Sequence, residues 1–315
     1  MAPSPHQLAF PAIVLGSIML AFGPLLVRLA DVAPVASAFW RLGLAVLPLA
    51  LLARVTGAPL AGGLSAPLAG GLSAPLAGGL SAPLARGTIN ARVLALTALA
   101  GLCFAADIAL WHEGIMRTTM ANAALLSNAA SFMLPLWGFV VLGHRPGRKA
   151  LLALGFAIAG TLLLVGQSAE LSPRHLAGDL LCLGAALLYT GYLIVIDGLR
   201  GRVPVFPLLA LATGFGAVAL LPAALLLDGR FWPQDWTPLV ALALGSQVMG
   251  QGLVVFAIGH LRPIVIGLGL LVQPVVAATI GALGFGEVPG LPELAGAALV
   301  VMALILVRLP ERPQR

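Results

Sequence analysis

The chain has 315 residues, of which 60% are hydrophobic and 9% charged, and a formal net charge of +6. Soluble domains carry about 25% charged residues, so this composition, with a mean hydropathy of +1.05, excludes an ordinary soluble globular protein and points to an all-α integral membrane protein. The basic residues fall between apolar runs rather than in a stripe interleaved with aromatics, which argues for membrane orientation and against a nucleic-acid partner.

A spanning helix needs about 20 mostly apolar residues. By that ruler the chain holds ten: 8–28, 34–53, 93–113, 119–142, 149–167, 176–197, 204–227, 238–258, 263–284 and 291–308. The first follows MAPSPHQLAF, which has no Lys or Arg and no clear cleavage site after it, so it reads as a retained span rather than a removable signal. Between the second and third spans, residues 58–85 carry APLAGGLS three times and begin a fourth copy. Its regularly spaced Pro and Gly pairs make a lipid-facing helix too costly, and the stretch reads as a flexible cytoplasmic loop. Cys103 and Cys182 lie inside apolar runs and read as small core side chains.

Residues 111–165 and 261–307 each form an apolar hairpin, and laying Gly143-His144 on Gly286-Glu287, an offset of 143 residues, superposes the two patterns. An internal duplication follows, into a first repeat over 8–167 and a second over 176–308. Five crossings per copy is an odd number, so the second copy is inverted relative to the first. Inverted repeats place a binding site near the midplane between the halves and open it to each side in turn, which favours a transporter. With the N-terminus inside, twelve of the seventeen Lys and Arg residues fall on cytoplasmic loops and the tail. Both termini are therefore expected in the cytoplasm, in the inner membrane of a bacterium.

Ionisable groups inside a bilayer are costly and are normally paired or line a wet cavity. Arg41 lies seven residues past Pro34 and Asp107 six before Glu113, about 10 and about 9 Å below the same outer boundary. The matched depths suggest an intramembrane ion pair, either a brace between two spans or part of a substrate or proton site. Trp111, four residues past Asp107, shares its helix face. His112 lies nearer the outer mouth, where an imidazole either couples transport to protons or is simply hydrogen-bonded. Asn128 and Ser131 are three apart and so adjacent on one surface of the fourth span, with Asn122 two turns earlier, and Gln247 and Gln251 are four apart on the eighth. Such side chains either join helices or face a cavity and orient a polar ligand. Tyr189 and Tyr192 suit a mixed cavity or plain packing. Trp40 and Trp111 either wall a pocket or anchor at the outer interface.

No GxSxG, HExxH or GxxxxGK motif and no cluster of thiol or imidazole ligands occurs in the chain. The sequence thus signals no enzyme, no cofactor and no metal, and any uphill movement must draw on an ion gradient or a partner, with protons as a candidate coupling ion. The competing reading is a non-transporting membrane scaffold or sensor, for which a dry, fully packed midplane is expected; within transport, uptake of another small metabolite competes with export.

The strings TTMANAALLSN, LGHRPGRKALL and LLVQPVVAATIGALGFGE, together with AFWRLGLAVLPL at 38–49 and DIALWH at 107–112, resemble the EamA family of the drug/metabolite transporter superfamily. The resemblance covers nearly all of 8–308 apart from the APLAGGLS insert. It implies ten helices in two inverted five-helix repeats, with helices 1 to 4 and 6 to 9 around a central cavity and helices 5 and 10 outside. It also implies secondary transport, commonly export, of a small-molecule substrate such as an amino acid. Two positions depart from the family pattern: His144 stands where a Glu is usual, although Glu287 is retained, and Ser131 stands where a Pro is usual, opposite Pro274. Pro135 is expected to supply the kink lost at Ser131.

Overall fold

Proline marks where several helices begin. Pro24, Pro34, Pro238 and Pro263 each sit in the first turn of a helix, where a missing N–H costs nothing. A computed structural model of the chain describes residues 5–56, 91–117, 126–127, 129–130, 133–134, 137–138, 141, 147–165, 173–200, 202–227, 229–285 and 291–308. The insert at 58–85 and Asn122, Asn128, Ser131, Pro135, His144 and Glu287 lie outside the described residues.

Among the described residues all regular structure is helical. In chain order the elements are α1 (Pro5–Ala21), α2 (Gly23–Leu29), α3 (Pro34–Val55), α4 (Ala91–Arg117), α5 (Arg148–Val165), α6 (Pro173–Arg200), α7 (Val205–Leu226) and α8 (Thr237–Ala241). A π-helix (Leu242–Gly250) continues α8 into α9 (Gln251–Ile258), followed by α10 (Pro263–Leu270), α11 (Val272–Phe285) and α12 (Leu291–Arg308). Among the described residues six helices are long and apolar enough to cross a membrane: His6–Leu29, Pro34–Val55, Ala91–Arg117, Leu180–Arg200, Val205–Leu226 and Thr237–Ile258. The chain is a multi-pass integral membrane protein in architecture.

Two helices expected to be continuous are broken, and the breaks have one cause. Pro24 has no N–H to give the Leu20 carbonyl, and α1 stops at Ala21; Pro274 has none to give Leu270, and α10 stops there. A third irregularity is the π-helix, whose i→i+5 pattern widens the turn.

Packing brings distant stretches together. α4 lies along α6 and against α7, α3 lies along α7, α1 lies against the π-helix and α9, and α5 pairs with α12. Some of these contacts need glycine. A Cβ on Gly101 of α4 would collide with the Ala212 carbonyl of α7, and one on Gly16 of α1 would stand 2.9 Å from the Gly250 carbonyl. The main core runs through α1, α3, α4, α6, α7 and α9, with Phe104, Tyr192, Leu193, Ile196 and Leu208 inside it.

One end of the bundle is stapled. The Gln234 backbone N–H donates to the Asp31 carboxylate (2.8 Å), Ala33 N–H donates to the Arg230 carbonyl (3.0 Å), and the Trp40 indole N–H donates to the Phe231 carbonyl (2.8 Å). Trp40 also packs at ring-centroid distances of 4.9 to 5.2 Å against Phe39, Phe231, Trp232 and Trp236. Of the two readings of Trp40, wall or anchor, the structure places it in this end cluster and away from the cavity described next.

Candidate functional site

The broken helices meet at a cavity of about 80 Å³. Leu20 at the end of α1, Leu270 at the end of α10, Ser246 of the π-helix and Gln251 and Gln273 just beyond the irregular turns all line it. Arg41 of α3, Phe104, Asp107, Ile108 and Trp111 of α4 and Tyr189 of α6 complete most of the wall, with Ser127 and Ala130. Among the described residues neither α5 nor α12 contributes. Irregular backbone at membrane depth is tolerated where it lines a cavity, and a prolyl ring four residues on leaves a carbonyl without its helical donor at both Leu20 and Leu270.

Arg41 is only 4% exposed. Its guanidinium carbon stands 5.9 Å from the centroid of the Phe104 ring, within range of a cation–π contact, and its Nε has no hydrogen-bond partner among the described residues. Phe104 stacks on Tyr192 at 4.6 Å, and Tyr192 on Tyr189 at 5.8 Å, so three rings from α4 and α6 floor the arginine. Asp107 lies one turn further along α4 on the same cavity. The two charges act on each other but face the chamber without closing into a direct ion pair.

The sequence-derived candidates separate on this geometry. Trp111, Tyr189, Gln251, Arg41 and Asp107 line the cavity. Gln251 lies 3.4 Å from the Tyr189 hydroxyl, at the long end of hydrogen bonding, which ties the two walls. Gln247 does not share its face with Gln251: it is fully buried, and its Nε2 donates to the Thr213 hydroxyl (3.0 Å) on α7. The wide π-turn between them sends Gln247 into the helix joint and leaves Gln251 on the cavity. His112 is also fully buried, and its Nδ1–H donates to the Pro34 carbonyl at 3.1 Å, pinning the start of α3 to the end of α4. It is not among the lining residues. Asn122 and Asn128 lie outside the described residues.

Phe104, Ser127, Ser246 and Gln273 line the cavity although nothing singled them out in the sequence. A usable signal existed for two of them. Gln273 precedes the helix-breaking Pro274, and Phe104 falls one turn before Asp107 on the same face.

The sequence pattern of the EamA-like transporter family matches residues 7–166 and 176–309. The chain belongs to the EamA-like transporter family. This EamA-like chain is similar to an uncharacterized transporter of Archaeoglobus fulgidus, at 28% identity over 206 residues covering 63% of this chain and 71% of that one. It is also similar to the uncharacterized transporter YwfM of Bacillus subtilis, at 26% identity over 230 residues covering 70% and 75%. A solved crystal structure matches its fold with a TM-score of 0.72 at 17% identity, over 98% of this chain and 97% of that one. The family and these relatives give the EamA-like chain a transporter role, with a small-molecule substrate and the lipid bilayer as its partners.

Proposed function

We propose that this EamA-like protein is a secondary transporter that exports a small zwitterionic metabolite, such as an amino acid, by alternating access between two inverted five-helix repeats. The observation that carries the reading is the pairing of Arg41 and Asp107 on one cavity within the spanning helices. Charges at that depth are costly unless something answers them. A carboxylate and an ammonium on one small ligand answer both, whereas a pure anion or cation leaves one of them unmatched. A non-transporting scaffold or sensor is expected to pack a dry midplane, and a charged cavity counts against that reading.

Three observations support two inverted repeats, over 8–167 and 176–308. The family pattern matches twice, once on each. If α1–α2 corresponds to α6, α3 to α7, α4 to the run from α8 through α9, and α5 to α12, the packing of α4 on α6 has its counterpart in that of α1 on the π-helix and α9. The α3–α7 and α5–α12 pairs then map onto themselves. Lining residues also recur at the offset of 143: Ser127 with Leu270, and Ala130 with Gln273. At about 80 Å³ the cavity is smaller than the roughly 300 Å³ of a typical ligand pocket, so loading requires the walls to part, as a rocking of one half against the other does.

In the proposed orientation both termini face the cytoplasm of a bacterial inner membrane, and the stapled end faces outward. Protons are the proposed coupling ion. The test is an untargeted comparison of metabolites retained by cells with and without the protein, repeated with the proton gradient collapsed. One zwitterionic metabolite should accumulate in cells lacking the protein. An unchanged metabolite profile sinks export, and a difference that survives loss of the gradient sinks proton coupling alone.

A further inference from the structure

Two polar groups on the cavity are left over once Arg41 and Asp107 are accounted for. The Trp111 indole Nε1 and the Ser246 hydroxyl are both buried and have no hydrogen-bond partner among the described residues, although both residues line the cavity. A Cβ built on Gly23 would stand 3.5 Å from Cη2 of the Trp111 ring and 3.8 Å from the Ser246 hydroxyl, so the six-membered edge of the indole and the hydroxyl both lie beside this glycine at the break in the first span, and both residues line the one cavity. Buried polar groups are nearly always paired, because an unmade hydrogen bond there costs the full desolvation of the group.

Their position along α4 differs from that of Arg41. The guanidinium lies over Phe104; Asp107 is one turn on, and Trp111 a further four residues, about 6 Å by helical rise. The cavity thus has a charged end, between Arg41 and Asp107, and a neutral end, at Trp111 and Ser246. An indole N–H only donates, and a serine hydroxyl can donate as well as accept. The partner that suits both is an acceptor. An anionic acceptor is disfavoured, since Asp107 lies one turn away and the lining cation, Arg41, is at the far end.

We propose that Trp111 and Ser246 are specificity-determining residues that select substrates whose side chain carries a neutral oxygen acceptor, a hydroxyl or an amide carbonyl, beyond the charged head group. This rests on the zwitterion reading above and sharpens it. A hydrocarbon side chain of the same shape leaves both groups unpaired and is rejected on that account.

The test uses proteoliposomes of the full chain and counterflow of three near-isosteric pairs: L-threonine and L-valine, L-asparagine and L-leucine, L-tyrosine and L-phenylalanine. The expected result is at least a tenfold preference in kcat/KM for the oxygen-bearing member of one or more pairs. In Trp111→Phe and Ser246→Ala that ratio should fall to within about twofold of unity, through loss on the oxygen-bearing member. The ratio within one protein is blind to how much of the variant folds, and Trp232→Phe, at the stapled end, should keep it. Transport of amino acids with no preference for the oxygen, or a preference that persists in both variants, overturns the subsite and leaves the zwitterion reading standing. Absence of transport of all six overturns that reading and the subsite with it.

Discussion

At the stapled end of the molecule polar groups answer one another: Asp31 takes the Gln234 N–H, the Arg230 carbonyl takes that of Ala33, and the Phe231 carbonyl takes the Trp40 indole. Around the cavity Arg41 Nε, Trp111 Nε1 and Ser246 Oγ are more deeply buried and have no hydrogen-bond partner among the described residues. Both regions are built from the same kinds of side chain, and both join stretches far apart in sequence. What separates them is where the hydrogen-bonding capacity goes. The stapled end uses most of its capacity internally, with Asp31 Oδ1 the exception, and so ties the loops between spans to one another. The cavity keeps its capacity for something that arrives from outside the fold, at a cost in stability that the stapled end and the tight helix joints offset.

The sharpest break of this comparison is the double substitution Arg41→Gln with Asp107→Asn. Transport of the native substrate should fall at least tenfold, equivalent to about 1.4 kcal/mol at the transport barrier. The thermal midpoint in detergent should not fall, because two costly buried charges without a direct ion pair are removed together. A double variant that loses stability and keeps transport would make the pair an internal brace, and the cavity would then resemble the stapled end.

Next in size are the helix joints on which the cavity rests. Gly101→Ala drives a methyl group into the Ala212 carbonyl and within 3.0 Å of the Phe215 Cβ, so α4 and α7 must separate; a loss of about 1 to 3 kcal/mol is expected. Gly155→Ala on α5 meets nothing within 4 Å and should stabilise by up to about 1 kcal/mol through helix propensity alone. Unfolding in mixed micelles measures both. Equal effects would mean that α4 and α7 have slack, and that the cavity wall is not held where the structure has it.

Much of this frame was legible beforehand, for physical reasons that also explain what was not. Span boundaries follow hydropathy closely, as with 34–53 against Pro34–Val55 and 238–258 against a helical run ending at Ile258, because a bilayer imposes length and apolarity on every crossing. Arg41 and Asp107 stood out because a charge in hydrocarbon is rare enough to be a signal. Ser246 and Gln273 carry no charge, cost far less to bury, and looked like any other polar residue in a span. Gln247 and Gln251 were separated by a π-turn that a 3.6-residue period cannot anticipate. The Trp40 bond to Phe231 bridges 191 residues, and no local pattern encodes such a partner. His112 read either as a proton-coupling group near a mouth or as a hydrogen-bonded one, and the carbonyl that accepts from its Nδ1–H, that of Pro34, lies 78 residues away where no local pattern points to it.

At the stapled end itself, Trp40→Phe leaves one aromatic ring in the cluster and removes the pyrrole part of the indole with its N–H. The bond to the Phe231 carbonyl is 2.8 Å and partly buried, so the expected loss is about 1 kcal/mol, read as a lower thermal midpoint with the substrate preference of the cavity unchanged. A shift in preference instead would tie the stapled end to ligand selection and erase the contrast between the two regions.

The smallest effect belongs to the same end. The Thr237 backbone N–H donates to the Asp235 carboxylate at 2.8 Å, and with the Thr237 hydroxyl it holds that carboxyl below the usual carboxylate range. A carboxyl whose folded value is depressed adds stability above its unfolded value and loses it as pH falls through the lowered one. Asp235 is fully exposed, so solvent screens most of the gain. The wild-type thermal midpoint should therefore drop slightly more than that of Asp235→Asn when the pH is taken from 6 down past the ordinary aspartate range, about 3.9. Parallel curves for the two proteins would show that the cap at the start of α8 is held by packing around Trp236 rather than by the carboxylate.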